Sequence, residues 1–124
     1  MRRWLFLSAV LGFLGVLLGA FAAHGLAGRL SEQMLANFET GARYQMYHAL
    51  AMGLAAFAVR GRAAAMANAA GVLFLIGILL FCGSLYLLAL TGITKLGMIT
   101  PLGGLSMMAG WVALALAALK FEKN

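Results

Sequence analysis

The 124-residue chain is 65% hydrophobic and 10% charged, with a mean hydropathy of +1.00. Soluble domains are about 45–50% apolar and about one-quarter charged, so one soluble domain of this length would lack the polar surface to cover its core. Lipid is the solvent that the composition fits. Net charge is +6, but the cations sit between apolar runs and form no patch, which excludes a nucleic-acid partner from the reading.

The first apolar run, residues 4–23, has Ser8 as its one strongly polar member. At 1.5 Å per residue it spans a hydrocarbon core of roughly 30 Å. The Met1-Arg2-Arg3 start and Ala20-Phe21-Ala22 resemble a cleavable signal peptide. The run nevertheless exceeds the usual 7–15 residues or so of such segments, and Trp4 sits at the interface position of a retained helix. Gly12, Gly15 and Gly19 lie along this helix and include one GxxxG pair, the spacing that lets helix backbones approach closely in lipid. They serve packing within the chain or a contact between copies.

Residues 24–41 form the longest connection. Ser31 is placed to cap a short amphipathic helix with Met34, Leu35 and Phe38 on one side and Glu32, Gln33 and Glu39 on the other. This segment, between helices one and two, is expected to lie in the outer membrane interface or fold over the bundle mouth, unless it is simply a connector that happens to be amphipathic. The second run, 42–59, opens with Arg43, Tyr44, Gln45 and His48, and it spans only if these reach the headgroup level. The third run, 67–90, is long enough to tilt, and the fourth, 101–119, begins with Thr100 as cap and Pro101 at the first helical position. Short links at 60–66 and 91–97 make helices two and three, and then three and four, antiparallel neighbours. Gly77 and Ser84 offer a small-residue seam, Gly103-Gly104 offers flexibility or a close helix crossing, and Asn68, Ser84 and Ser106 are mild groups able to bond across helices or to their own carbonyls.

No run shows the period of two of barrel strands. The fold class is therefore all-α, one integral membrane domain over residues 1–124 with four transmembrane helices. An inner N-terminus places Arg2, Arg3, Arg60, Arg62, Lys120 and Lys123 in the cytoplasm and Arg29, Arg43 and Lys95 outside. The bias of basic residues selects N-in and C-in, as a multi-pass protein of the bacterial inner membrane.

One cluster has chemical potential. His24 closes helix one, His48 enters helix two, and both are expected towards the outer leaflet at comparable depth. Tyr44 precedes His48 by four residues, Tyr47 adjoins it, and Glu39 precedes Arg43 by four, a spacing that permits an ion pair. His24, Glu39, Arg43, Tyr44, Gln45, Tyr47 and His48 thus outline a polar corner at the outer mouth. It can be structural, with histidines bonding loop carbonyls and tyrosines anchoring the interface. It can also contact a headgroup or quinone, or ligate a haem iron through the two histidines or, with Glu39, a metal.

Catalysis finds little footing. The chain has no Asp, none of its Glu residues is at mid-membrane, Ser8, Ser84 and Ser106 lack a base, and the lone Cys82 reads as a small core hydrophobe. No catalytic residue, metal-ligand set or cofactor is assigned.

Several strings carry a family resemblance: Gly19-Ala20-Phe21-Ala22-Ala23-His24, Gly41-Ala42-Arg43-Tyr44-Gln45-Met46-Tyr47-His48-Ala49-Leu50, Gly77 through Tyr86, Leu96 through Gly104, and Ala109-Gly110-Trp111. In this order, along nearly the whole chain, they resemble the small membrane-protein family of unknown function numbered 423. The resemblance implies a bacterial inner-membrane protein and carries over no catalytic residue, substrate or cofactor. It places His24, Arg43, Tyr44, Gln45, Tyr47, His48, Ser84, Tyr86, Thr100 and Pro101 at motif positions, with Ala22 and Cys82 as conservative departures.

The uncharged core with its glycine seams points first to a non-enzymatic accessory or interaction subunit of a membrane assembly. A small-molecule or lipid transporter or channel is the competing reading, and a quinone- or haem-binding protein the third. The partners expected are the lipid bilayer and either a membrane protein or a second copy.

Overall fold

The computed structural model describes residues 1–121, so Lys123, counted above among the inner cations, lies outside the described residues. The chain runs as four long helical rods, with no strand among the described residues. The first is α1, Arg2–Phe21, prolonged by one π turn over Ala22–Leu26. The second is α2, Glu32–Ala58. After a 3₁₀ turn at Gly61–Ala63 the third comprises α3, Ala64–Gly77, a π turn at Ile78–Cys82, and α4, Gly83–Thr91. A second 3₁₀ turn, Thr94–Met98, leads into α5, Thr100–Leu119.

Cross-links fix α1 and α2 as antiparallel neighbours and bring α3 alongside α1 in the same direction. Phe21 meets Phe38 near one end of the α1/α2 pair, with ring centroids 6.2 Å apart, while the Ser8 hydroxyl donates to the Ala49 carbonyl further down at 2.7 Å. Trp4 Nε1 donates to Asn68 Oδ1 at 2.7 Å, which brings the start of α1 to the start of α3. α2 is the central rod, packed against α1, α3 and α4, whereas α5 packs mainly along α3 and the following π turn.

Small residues set the separations. Ala51, Ala55, Ala56, Ala67 and Ala70 are wholly buried, so the rods approach closely and gain dispersion contacts in place of the hydrophobic drive that lipid does not supply. The tightest crossing joins α5 to the third rod. A β-carbon on Gly103 would overlap the backbone of Phe81, and one on Gly77 would lie 3.1 Å from the Gly103 carbonyl. Ser106 Oγ donates across the same seam to the Leu73 carbonyl at 2.7 Å. Gly92, at φ +74°, closes α4 in the left-handed region that glycine enters without a steric penalty.

Three rods, Arg2–Leu26, Gly61–Thr91 and Thr94–Leu119, are long and apolar enough to cross a membrane. α2 is long enough at 27 residues, but it carries Glu32, Glu39 and Arg43 in its first half.

Four expectations are corrected. The short helix expected between helices one and two is instead the first part of α2: Ser31 does cap it, accepting from the Met34 amide at 3.2 Å, but nothing ends it before Ala58. Gly41, which marked its end, lies inside the helix, and its bare α-carbon admits the Tyr86 ring, from which an added β-carbon would lie 2.8 Å. Trp4 is no interface anchor: it is 5% exposed and packs on Gly71, with its indole N–H satisfied by Asn68. Thr100 does not cap α5; it is the first residue of the helix itself, and its hydroxyl meets that of Ser84 at 2.5 Å, joining α5 to α4. In the α1 glycine series only Gly15 faces a neighbour closely, with Met46 Cε at 3.4 Å from an added β-carbon, while Gly12 and Gly19 face open space. The seam of Gly77 and Ser84 is matched by α5, through Gly103, Met107 and Thr100.

Candidate functional site

α2 buries two strongly polar side chains among alanines. Gln45 is 3% exposed and His48 5%. Three residues apart on one helix, they turn towards different neighbours. Gln45 faces α1 and α4: its Nε2 donates to the Leu11 carbonyl at 2.8 Å, and its Oε1 accepts from the Tyr86 hydroxyl at 2.6 Å. The Leu11 carbonyl is already a helix acceptor, and a carbonyl has a second lone pair to offer.

His48 faces α3 and α5. Its Nδ1 lies 2.8 Å from the Tyr44 carbonyl one turn earlier, and Trp111 Nε1 donates to its Nε2 at 3.1 Å. An indole N–H can only donate, so Nε2 must present its lone pair. The tautomer then follows: the ring is neutral, with its proton on Nδ1, donating to Tyr44. Aromatic rings enclose it, with Phe74 at 5.7 Å, Trp111 at 5.9 Å and Tyr44 stacked at 6.1 Å between centroids. Phe74 and Trp111 themselves meet edge-on at 5.1 Å.

A second polar pair lies nearby. Ser84 Oγ donates to the Phe81 carbonyl at 2.9 Å, and its oxygen also meets Thr100 Oγ1. Phe81 belongs to the π turn, where a longer helical ring upsets the regular pattern of carbonyl partners. Ser84 supplies a donor at that point. Among the described residues no buried side-chain nitrogen or oxygen lacks a partner. Unmatched groups of this kind cost about 1–3 kcal/mol each.

The structure divides the seven-residue corner anticipated from sequence. Gln45 and His48 belong to the interior layer, and Tyr44 contributes its carbonyl and one face of its ring. Tyr44 and Tyr47 are otherwise outward, 5.6 Å apart between centroids, with Tyr44 leaning on Phe81 at 4.9 Å. Arg43 is exposed and directs Nη2 to the Thr40 hydroxyl at 3.3 Å, in place of the anticipated pair with Glu39. His24 and Glu39 are exposed and stand apart from the layer. The two histidines do not share a depth. Gln45 lies beside Leu11 and Ala49 beside Ser8, so His48 is level with the middle of α1, and His24 is about 20 Å further along the rod. The depths differ because α2 begins ten residues before the run that was read as its start.

Tyr86 and Trp111 complete the layer, and the sequence reading did not join them to it. A signal was present in each: an aromatic residue with a polar atom, placed well inside an apolar run, needs a buried partner. Metal chemistry finds no constellation, since no group of three His, Cys, Asp or Glu occurs among the described residues.

Rods of this length and apolarity, with their polar atoms turned inward and matched to one another, define the class as a small all-helical membrane protein. The profile described as Protein of unknown function (DUF423) matches residues 18–104, and the chain belongs to that family. It is similar to UPF0382 membrane protein SH2409 of Staphylococcus haemolyticus, with 42% identity over 121 residues, 98% of each chain. UPF0382 membrane proteins SERP0230 of Staphylococcus epidermidis and SAUSA300_0565 of Staphylococcus aureus are each 43% identical over the same length, again 98% of either chain. No solved structure matches it.

Proposed function

We infer that this protein is a non-enzymatic subunit of the bacterial inner membrane, crossing it four times with its N- and C-termini in the cytoplasm, and that it serves as an accessory or interaction module of a larger membrane assembly. The closed polar layer carries the reading. Gln45, His48, Tyr86 and Trp111 satisfy one another and the adjoining carbonyls, which stiffens the bundle and leaves no strong nucleophile or base poised for a substrate. A haem or metal at His48 would have to displace Trp111 or the Tyr44 carbonyl.

The fourth span rests on the direction of α2's side chains. Its low apolarity comes partly from Gln45 and His48, which face inward, while Leu50, Leu54 and Phe57 face outward. Orientation follows from the cations, with Arg2, Arg3, Arg60, Arg62 and Lys120 at the end that holds Met1 and Phe121.

Purification in gentle detergent at native expression, followed by mass spectrometry, tests the assembly. A reproducible membrane-protein partner is expected; a chain that is strictly solitary would overturn the accessory role. Thiol labelling of Arg62→Cys and Lys95→Cys in intact cells tests the topology, with only the Lys95 position reactive from outside.

A further inference from the structure

One end of the bundle gathers cations. Arg2 and Arg3 begin α1, Arg60 and Arg62 flank the turn from α2 to α3, and Lys120 follows α5. α2 and α5 touch only lightly along their length, and between their last turns an apolar cleft of about 390 Å³ opens. Leu54 and Phe57 form the α2 wall, and Leu114 and Ala118 the α5 wall. At the basic end stand Arg60 and Phe121, with the guanidinium carbon 4.3 Å from the ring centroid.

We propose that this cleft binds one anionic phospholipid from the surrounding leaflet, with an acyl chain between α2 and α5 and the headgroup phosphate on Arg60. The proposal rests on the reading of the basic end as lying at the cytoplasmic headgroups. Three physical arguments support it. An apolar cleft beside hydrocarbon does not hold water, because water there finds no polar partners. Left empty, its walls forfeit dispersion contacts, and an acyl chain restores them. Its volume falls within the roughly 300–1,000 Å³ of ligand sites.

Charge selects the headgroup. Arg60 rests on an aromatic ring, which limits the rotamers of its long side chain, and a guanidinium presents paired donors that match a phosphate bidentately. Arg62 and Lys120 add positive potential at the same level, and basic pockets between helices on the cytoplasmic side are the sites where anionic headgroups settle. Glu32 and Glu39 lie at the opposite end of the bundle, near the start of α2. A zwitterionic lipid would fill the walls equally well but would gain less from the mouth.

The full chain, purified in mild detergent and delipidated, is titrated with dioleoyl phosphatidylglycerol or dioleoyl phosphatidylcholine and read by native mass spectrometry. One phosphatidylglycerol is expected to bind on the order of fivefold more tightly than phosphatidylcholine, as one interfacial cation confers. Arg60→Gln abolishes that preference, Arg60→Lys retains part of it, and Ala118→Trp, which fills the cleft, weakens both lipids. Arg60 is exposed, so its variants test the site even where Ala118→Trp fails to fold. Excess inorganic phosphate leaves the lipid bound. Equal retention of the two lipids, a preference that survives Arg60→Gln, or displacement by phosphate would each overturn the proposal. Labelling of Arg62→Cys separates the two readings: reactivity from outside the cell refutes the topology, whereas a shielded thiol without lipid preference refutes the lipid site alone.

Discussion

Gly103 and Gly104 are adjacent in the first turn of α5, and alanine at each should have opposite effects. Replacing glycine with alanine inside a helix gains about 1 kcal/mol of intrinsic helix propensity in water, and this gain is common to both positions. Their surroundings differ. At Gly103 the added β-carbon would sit 2.8 Å from both Cα and Cβ of Phe81 and still closer to its amide nitrogen. Backbone atoms cannot rotate away, so α5 must move off the π turn. That movement also stretches the Ser84–Thr100 hydroxyl contact one turn earlier in the third rod's partner. At Gly104 the nearest atoms are in the Phe81 ring at 3.8 and 3.9 Å, an ordinary contact. Overpacking a close crossing costs about 1–3 kcal/mol. Gly103→Ala should therefore be less stable than Gly104→Ala by at least that amount, with Gly104→Ala at or above the parent chain. Equilibrium unfolding in mixed micelles with increasing dodecyl sulfate, followed by far-ultraviolet circular dichroism, measures the difference. Equal midpoints for the two variants would refute the crossing geometry.

The polar layer yields further outcomes. Tyr86→Phe removes the donor to Gln45 Oε1 and should cost about 1–2 kcal/mol in the same unfolding assay, because the amide oxygen is left buried without its strongest partner. Nitrogen-15 chemical shifts of His48 should report a neutral ring protonated at Nδ1, and Trp111→Phe should perturb the Nε2 resonance most; a ring protonated at Nε2 would contradict the indole bond. Gly12→Ala and Gly19→Ala should hold or raise the stability of the isolated chain, by up to about 1 kcal/mol, since neither added β-carbon meets a neighbour. Loss of a higher-mass species in those variants on native mass spectrometry would assign that face of α1 to a contact between copies.

The anticipated outer corner shows where pattern reading ran out. The spacings around His48 describe neighbours along a helix surface, and the Tyr44–His48 stacking does follow that rule. The partners that matter for Gln45 and His48, however, are 34 to 63 residues away in sequence, beyond any helical spacing. Arg43 illustrates a competing choice, because Thr40 at three residues is as near on the helix as Glu39 at four. Trp4 follows the same logic: its position at the end of a run resembles a membrane anchor, but Asn68 and the bare surface of Gly71 draw it inward.

The apolar runs, their lengths and the sided distribution of cations were sufficient for an all-helical membrane protein, because hydrocarbon cannot solvate peptide groups and each run must satisfy its own backbone. Ser31 marked a helix start for a local reason as well, since a hydroxyl beside an open helix end is bonded within three residues, but that the helix it opens runs on as α2 was not legible there. Helix crossings and polar pairings belong to the tertiary structure. They depend on which glycine meets which backbone and on which donor finds which lone pair, and those matches are settled only when distant rods lie side by side.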